Sequence, residues 1–231
     1  MYQQSVSNYG LQYDAGLRQF MLGVFNNMAV GLAVSAFVAY FVGTSPTLLQ
    51  MFFGGPQKWL VILAPLAFVL VLSFGISRMS VFGAMVAFFA FAAVMGLSLS
   101  TIMAVYTASS IASAFFSTAI MFGAMSIYGY TTKRDLTKIG TFLIMGALGL
   151  CFASLINLFL QSSALAFAVS CIAVVVFAGL TAWDVQNLRN LYDELEGDER
   201  EKAGVMGALS LYLNFVNIFT SLLQLFGERK E

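Results

Sequence analysis

At 231 residues the chain is 60% hydrophobic and only 10% charged, with a mean hydropathy of +0.86, whereas a soluble domain carries roughly 25% charge, so a soluble globular fold is excluded. Its 11 basic and 11 acidic side chains cancel and form no basic tract, which removes nucleic-acid binding. Histidine is absent, and with it the usual metal ligand and the usual base of serine and cysteine hydrolases.

A membrane helix needs about 20 largely apolar residues, so the gaps between charges map the spans in chain order. Residues 1–19 are polar, form a cytoplasmic segment and do not read as a cleavable signal peptide. The first span is 20–43, followed by a turn-rich stretch with Pro46 and Gly54-Gly55-Pro56, and the second is 59–77. The charge-free run from Met79 to Thr132 is too long for one helix and folds back at Thr107-Ala108-Ser109-Ser110, which gives spans 81–106 and 111–130. The next run breaks at Gln161-Ser162-Ser163 into 139–160 and 164–184. After the acidic, solvated segment from Asp193 to Lys202 comes the last span, 205–226, in a membrane domain of 20–227 with a short tail of 228–231. The reading is an all-α integral membrane protein with seven transmembrane helices, since the continuous apolar runs lack the alternation of a β-barrel. Arg18, Arg78, Lys133, Arg134, Lys138, Arg189, Arg200 and Lys202 fall on one side, and Lys58, Arg229 and Lys230 on the other. The bias puts the N-terminus in the cytoplasm and the C-terminus outside.

Lipid offers polar side chains no partner, so a polar helical face points into the protein or a watery cavity. In the last span Gly207, Ser210, Asn214, Asn217, Ser221 and Gln224 recur at spacings of three and four. They form a seam roughly 25 Å long. Two readings of it stay open: interhelical hydrogen-bonding glue, or the lining of a pathway with Ser210, Asn217, Ser221 and Gln224 facing the lumen. Gly23, Asn27, Gly31 and Ser35 form a small-residue face in the first span, and Ser154, Asn157 and Gln161 a shorter stripe in the fifth. Serines in Gly96-Leu97-Ser98-Leu99-Ser100 have no histidine or flanking lysine as a base, so no enzyme is expected. Cys151 and Cys171 stand alone in apolar stretches and read as small hydrophobes.

Asp184, in Phe177-Ala178-Gly179-Leu180-Thr181-Ala182-Trp183-Asp184-Val185-Gln186, is the acid expected at membrane depth. An acid there has a charge state that responds to protons and to cations, calcium among them, unless it simply ends the span at the interface. Beyond it Leu188, Leu191, Tyr192 and Leu195 keep helical spacing, which predicts an amphipathic extension. Arg78, at the cytoplasmic end of the second span, lies at a depth from which it could pair with Asp184.

In these residues the chain resembles the Bax inhibitor-1, or transmembrane Bax-inhibitor-motif, family, and specifically its bacterial members. The carriers are Gly96 to Ser100, Phe122-Gly-Ala-Met-Ser-Ile-Tyr-Gly-Tyr-Thr-Thr-Lys-Arg-Asp135, Phe177 to Gln186, and Ser210-Leu-Tyr-Leu-Asn-Phe-Val-Asn-Ile-Phe219. The resemblance implies six helices wrapped round a central C-terminal one and a pH-sensitive cation leak, with calcium as permeant species and no cofactor. It also implies animal relatives that suppress cell death. In the family pattern an aspartate ending the sixth helix hydrogen-bonds a second aspartate in the seventh, and an arginine of the second latches the closed state. Asp184 takes the first place and Arg78 the third, while the second falls on Asn214. An Asp–Asn pair carries one charge and lacks the proton sharing of two carboxylates.

The expected function is therefore a bacterial inner-membrane cation leak gated near the cytoplasm by Asp184, Asn214 and Arg78. The alternative is a non-conducting modulator that binds other membrane proteins, such as a membrane protease.

Overall fold

The computed structural model describes the backbone of residues 2–230 and the side chains of residues 15–230 other than Phe74 and Ser77. In chain order the helices are α1 (Tyr2–Gly43), α2 (Pro46–Phe53), α3 (Lys58–Gly75) with a 3₁₀ turn at Ile76–Arg78, α4 (Val81–Leu99) and α5 (Thr101–Val105). They are followed by α6 (Ala108–Thr131), α7 (Thr137–Leu160), α8 (Ser163–Glu194) and α9 (Gly197–Phe226). The fold is all-helical among the described residues, where one isolated bridge, Tyr106 with Arg229, is the extent of strand pairing.

The breaks follow from capping chemistry. Thr107 accepts from the Ser110 backbone N–H and opens α6, and Ser162 accepts from that of Leu165 and opens α8. Gln161 stops α7 in the left-handed region at φ 50°. Ser80 caps α4 through the Gly83 N–H.

Three expectations change. The turn-rich stretch after α1 contains a helix, because Ser45 caps it and Pro46 stands at its first position, where a missing N–H costs nothing. The span expected at 81–106 divides at Ser100, whose hydroxyl turns back to the Leu97 carbonyl at 2.7 Å. The acidic segment expected as a loop from Asp193 to Lys202 is mostly helix, with Asp198 and Glu199 in the first turn of α9, where the helix dipole favours them. The short tail after α9 is held against the α5–α6 junction: Thr107 N–H donates to the Glu228 carbonyl at 3.0 Å and Lys230 N–H to that of Val105 at 2.9 Å.

Among the described residues six stretches are each long and apolar enough to cross a membrane: 15–43, 81–105, 108–131, 137–160, 163–194 and 197–226. The pair α2 and α3, bent by 77°, meets the same test only jointly. In α9, 67% of the most apolar stretch is buried, against 11 to 28% in the other five. It packs on α1, α4, α6 and α8, and α8 packs in turn on α6 and α7, whereas α3 lies against α4. Phe88, Phe91, Leu211 and Tyr212 form the tightest part of the core.

Candidate ion-pathway site on the last helix

Asp184 and Asn214 meet across the α8–α9 interface, where the Asn214 side-chain N–H donates to Asp184 Oδ2 at 2.6 Å. Asn214 is buried at 4% exposure and Asp184 is half-buried. Glycines set this stretch of α8 in place. A side chain at Gly129 would run into the Ala182 carbonyl, one at Gly140 into the Trp183 ring, and one at Gly207 into Leu188, so α6, α7 and α9 all close on α8 beside Asp184. Just beyond, the Gln186 amide spans the α6–α7 loop, donating to the Arg134 carbonyl and accepting from the Leu136 N–H, both at 2.8 Å. This staple was not among the expected site residues, although Gln186 closes the motif that contains Asp184.

Arg78 is not part of this arrangement. It is exposed at the end of the 3₁₀ turn, and among the described residues no hydrogen bond or ion pair joins it to Asp184. The reason is the place of α3, which lies against α4, while Asp184 is enclosed by α6, α7 and α9. Asp184 also has no metal cluster round it: among the described residues no group of three or more His, Cys, Asp or Glu side chains is placed to hold an ion.

The C-terminal part of the seam borders a crevice of about 500 Å³ between α3, α7, α8 and α9. Asn217, Ser221 and Gln224 line it, together with Thr220, Ser170 and Ser154, and Leu63 of α3 and Cys151 of α7 stand on the opposite walls. Ser210 does not line it. At the far end Ser170 Oγ lies 2.7 Å from Gln224 Oε1, and since the amide oxygen can only accept, the hydroxyl donates. Asn217 donates to the Leu213 carbonyl at 2.8 Å and Thr220 to that of Val216 at 2.9 Å, so two of the polar groups are satisfied within α9. Ser170 and Thr220 lacked a sequence signal beyond being single polar residues in apolar runs.

A second polar link on α9 faces the other way. The Tyr212 hydroxyl and Ser35 Oγ are 2.6 Å apart, and Ser35 is also 2.6 Å from the Ala92 carbonyl. Serine has one proton, which goes to the carbonyl, so Tyr212 is the donor to Ser35. Phe88 and Phe91 meet the Tyr212 ring edge-on at 5.9 and 5.7 Å. Ser35 was expected only as part of a small-residue face. The signal that could have found its partner is Tyr212 itself, because a buried tyrosine needs somewhere to place its hydroxyl.

The geometry thus offers a single carboxylate at an interhelical junction, one helical turn from a polar crevice. Comparison with known proteins agrees with the motifs. A family model described as inhibitor of apoptosis-promoting Bax1 matches residues 17–231. Inner membrane protein YbhL of Escherichia coli K12 is 45% identical over 225 residues, covering 95% of this chain and 96% of that protein. An uncharacterized protein of Rickettsia prowazekii, RP147, is 41% identical over 220 residues, covering 95% and 93%. The uncharacterized membrane protein SpyM3_0260 of Streptococcus pyogenes is 36% identical over 219 residues, covering 94% and 95%. Matched along nearly its whole length and built of helices that can span a bilayer, the chain belongs to the Bax inhibitor-1 family of multi-pass membrane proteins.

Proposed function

We propose that this protein is a weak cation leak of the bacterial inner membrane, with calcium as a permeant ion and the Asp184–Asn214 pair as its gate. The observation that carries the reading is the crevice lined by Asn217, Ser221 and Gln224, which starts one turn from Asn214 on the same face of α9. Hydroxyl and amide oxygens there can replace part of a cation's water shell, and Asp184 is the one carboxylate along this route among the described residues. In this reading the α2–α3 pair is the seventh span and α9 the central helix, which its burial supports. In this reading the N-terminus is cytoplasmic, which the basic loop with Lys133 and Arg134 supports. The inner-membrane assignment rests on the similarity to YbhL.

The Asn214 amide holds Asp184 in place, so opening separates α8 from α9 at this point. A cation arriving from the crevice then competes with Asn214 for the carboxylate. With one ionisable group in place of two, the gate lacks the coupled titration of a carboxylate pair. No catalysis and no resident cofactor belong to this reading. Arg78 takes part only in a conformation that carries it from its exposed place to Asp184.

The second reading, a modulator that conducts nothing and binds other membrane proteins such as a protease, is favoured by the internal satisfaction of Asn217, Thr220 and Gln224. Calcium flux into dye-loaded liposomes separates the two. The leak predicts flux above empty liposomes that Asp184→Asn changes at least tenfold, and that Asn214→Asp makes pH-dependent. Flux at the level of empty liposomes in every variant rejects the leak and leaves the modulator.

A further inference from the structure

We propose that the crevice between α1 and α6, at the end of the bundle that carries Lys133 and Arg134, binds one anionic phospholipid of that leaflet, its phosphate at Arg18 and an acyl chain over Gly123. The crevice encloses about 560 Å³, with walls formed by Leu22 and Phe25 of α1 and Phe122 and Ile127 of α6. It is concave because α6 contributes Gly123 and Ser126 at its floor, and a Cβ built on Gly123 meets no atom within 4 Å. These α6 residues belong to the motif running from Phe122 to Asp135, which the ion pathway does not use.

Charge at the mouth points to a phosphate. Arg18 lines the crevice, is exposed, and makes no hydrogen bond or ion pair among the described residues. Arg189 stands close by, donating to the carbonyl of Tyr130, another lining residue, at 3.0 Å. Lys133 and Arg134 follow Thr131 in the adjoining loop. Asp135, which follows Arg134, is engaged with the Thr137 N–H at 2.9 Å. Guanidinium groups match phosphodiester oxygens in a bidentate fork, and basic pockets between membrane helices are the form that anionic headgroup sites take.

Ser126 supplies an independent observation. It is 7% exposed, and its Oγ is the one buried side-chain oxygen among the described residues that has no hydrogen-bond partner. Thr118 and Thr131 on the same helix turn back to the Ala114 and Ile127 carbonyls, both at 2.7 Å. A lone hydroxyl at membrane depth is costly, and the ester carbonyl of a lipid provides the acceptor it lacks. A peptide occupant fits less well, because its backbone donors and acceptors would find no partners against apolar walls.

The test is native mass spectrometry of the full chain after reconstitution in vesicles of equal parts phosphatidylglycerol and phosphatidylcholine, followed by re-extraction in mild detergent. The parent protein is expected to keep one phosphatidylglycerol, favoured over phosphatidylcholine about fivefold. Arg18→Gln removes the preference while lipid is still retained, and Gly123→Leu removes the retained lipid with helicity and thermal midpoint unchanged. Arg18 is exposed, so that variant decides even where Gly123→Leu loses its fold. The proposal is overturned by a parent chain that retains no lipid, by Gly123→Leu retaining as much, by a preference that survives Arg18→Gln, or by a protein mass bound in place of lipid.

Discussion

The two faces of α9 are built to opposite ends. Tyr212 and Asn214 are two residues apart, which places them roughly 200° apart round the helix. Tyr212 enters a sealed core, with no exposed surface, its hydroxyl tied to Ser35 and its ring held by Phe88 and Phe91. Asn214 faces Asp184 and, one turn on, the crevice of about 500 Å³. The difference teaches where this fold can move. Around Tyr212 the contact of α1, α4 and α9 is closed by packing and a satisfied polar relay, so in the proposed leak opening falls to the α8 side, where two hydrogen bonds, Asn214 to Asp184 and Ser170 to Gln224, join the helices.

The substitutions that would break this contrast can be ranked. Tyr212→Ala empties the core between α1, α4 and α9 and is expected to cost about 3–5 kcal/mol, read as a fall in the thermal midpoint of the purified protein. Gly129→Ala drives a methyl group into the Ala182 carbonyl, which cannot rotate away, at a cost of about 1–3 kcal/mol in the same measurement. Tyr212→Phe removes only the donor to Ser35, which keeps its bond to Ala92, and should cost about 1 kcal/mol. Asn217→Leu on the open face should leave stability within about 0.5 kcal/mol and lower calcium flux several-fold. Equal stability losses on both faces would erase the distinction.

The smallest effect concerns the loop between α6 and α7. The Thr137 side chain and backbone N–H hold the Asp135 carboxyl below the usual carboxylate range. A folded value depressed in this way adds stability above the unfolded value of about 4, and that stability is lost as pH falls through the folded value. The gap in thermal midpoint between the parent and Asp135→Asn is expected to be a degree or two at neutral pH and to close under acid.

Much of this was readable from the chain because helix ends in lipid are written in polar residues. Thr107 and Ser162 stand where the charge-free runs were expected to fold back, since a buried N-terminus needs a side-chain acceptor. The pairing of Asp184 with Asn214 followed from the family motifs, as no spacing rule links residues on two helices. The Ser100 break and the helix at the start of α9 were hidden because hydropathy measures burial in lipid and is silent about local capping. The place of Arg78 was hidden for another reason: equal depth along the membrane normal says nothing of which neighbour a helix packs against. Ser35 and Tyr212 show the same limit, for their partnership depends on how α1 and α9 are rotated.

Cys151, exposed on the wall of the crevice, gives the most direct test of a conducting face. In a Cys171→Ala background, the protein in calcium-flux liposomes is treated with a membrane-impermeant, permanently charged methanethiosulfonate. A hydrated pathway predicts that Cys151 is labelled and that flux falls by more than half. A thiol that stays unlabelled, or labelling that leaves flux unchanged, would contradict it.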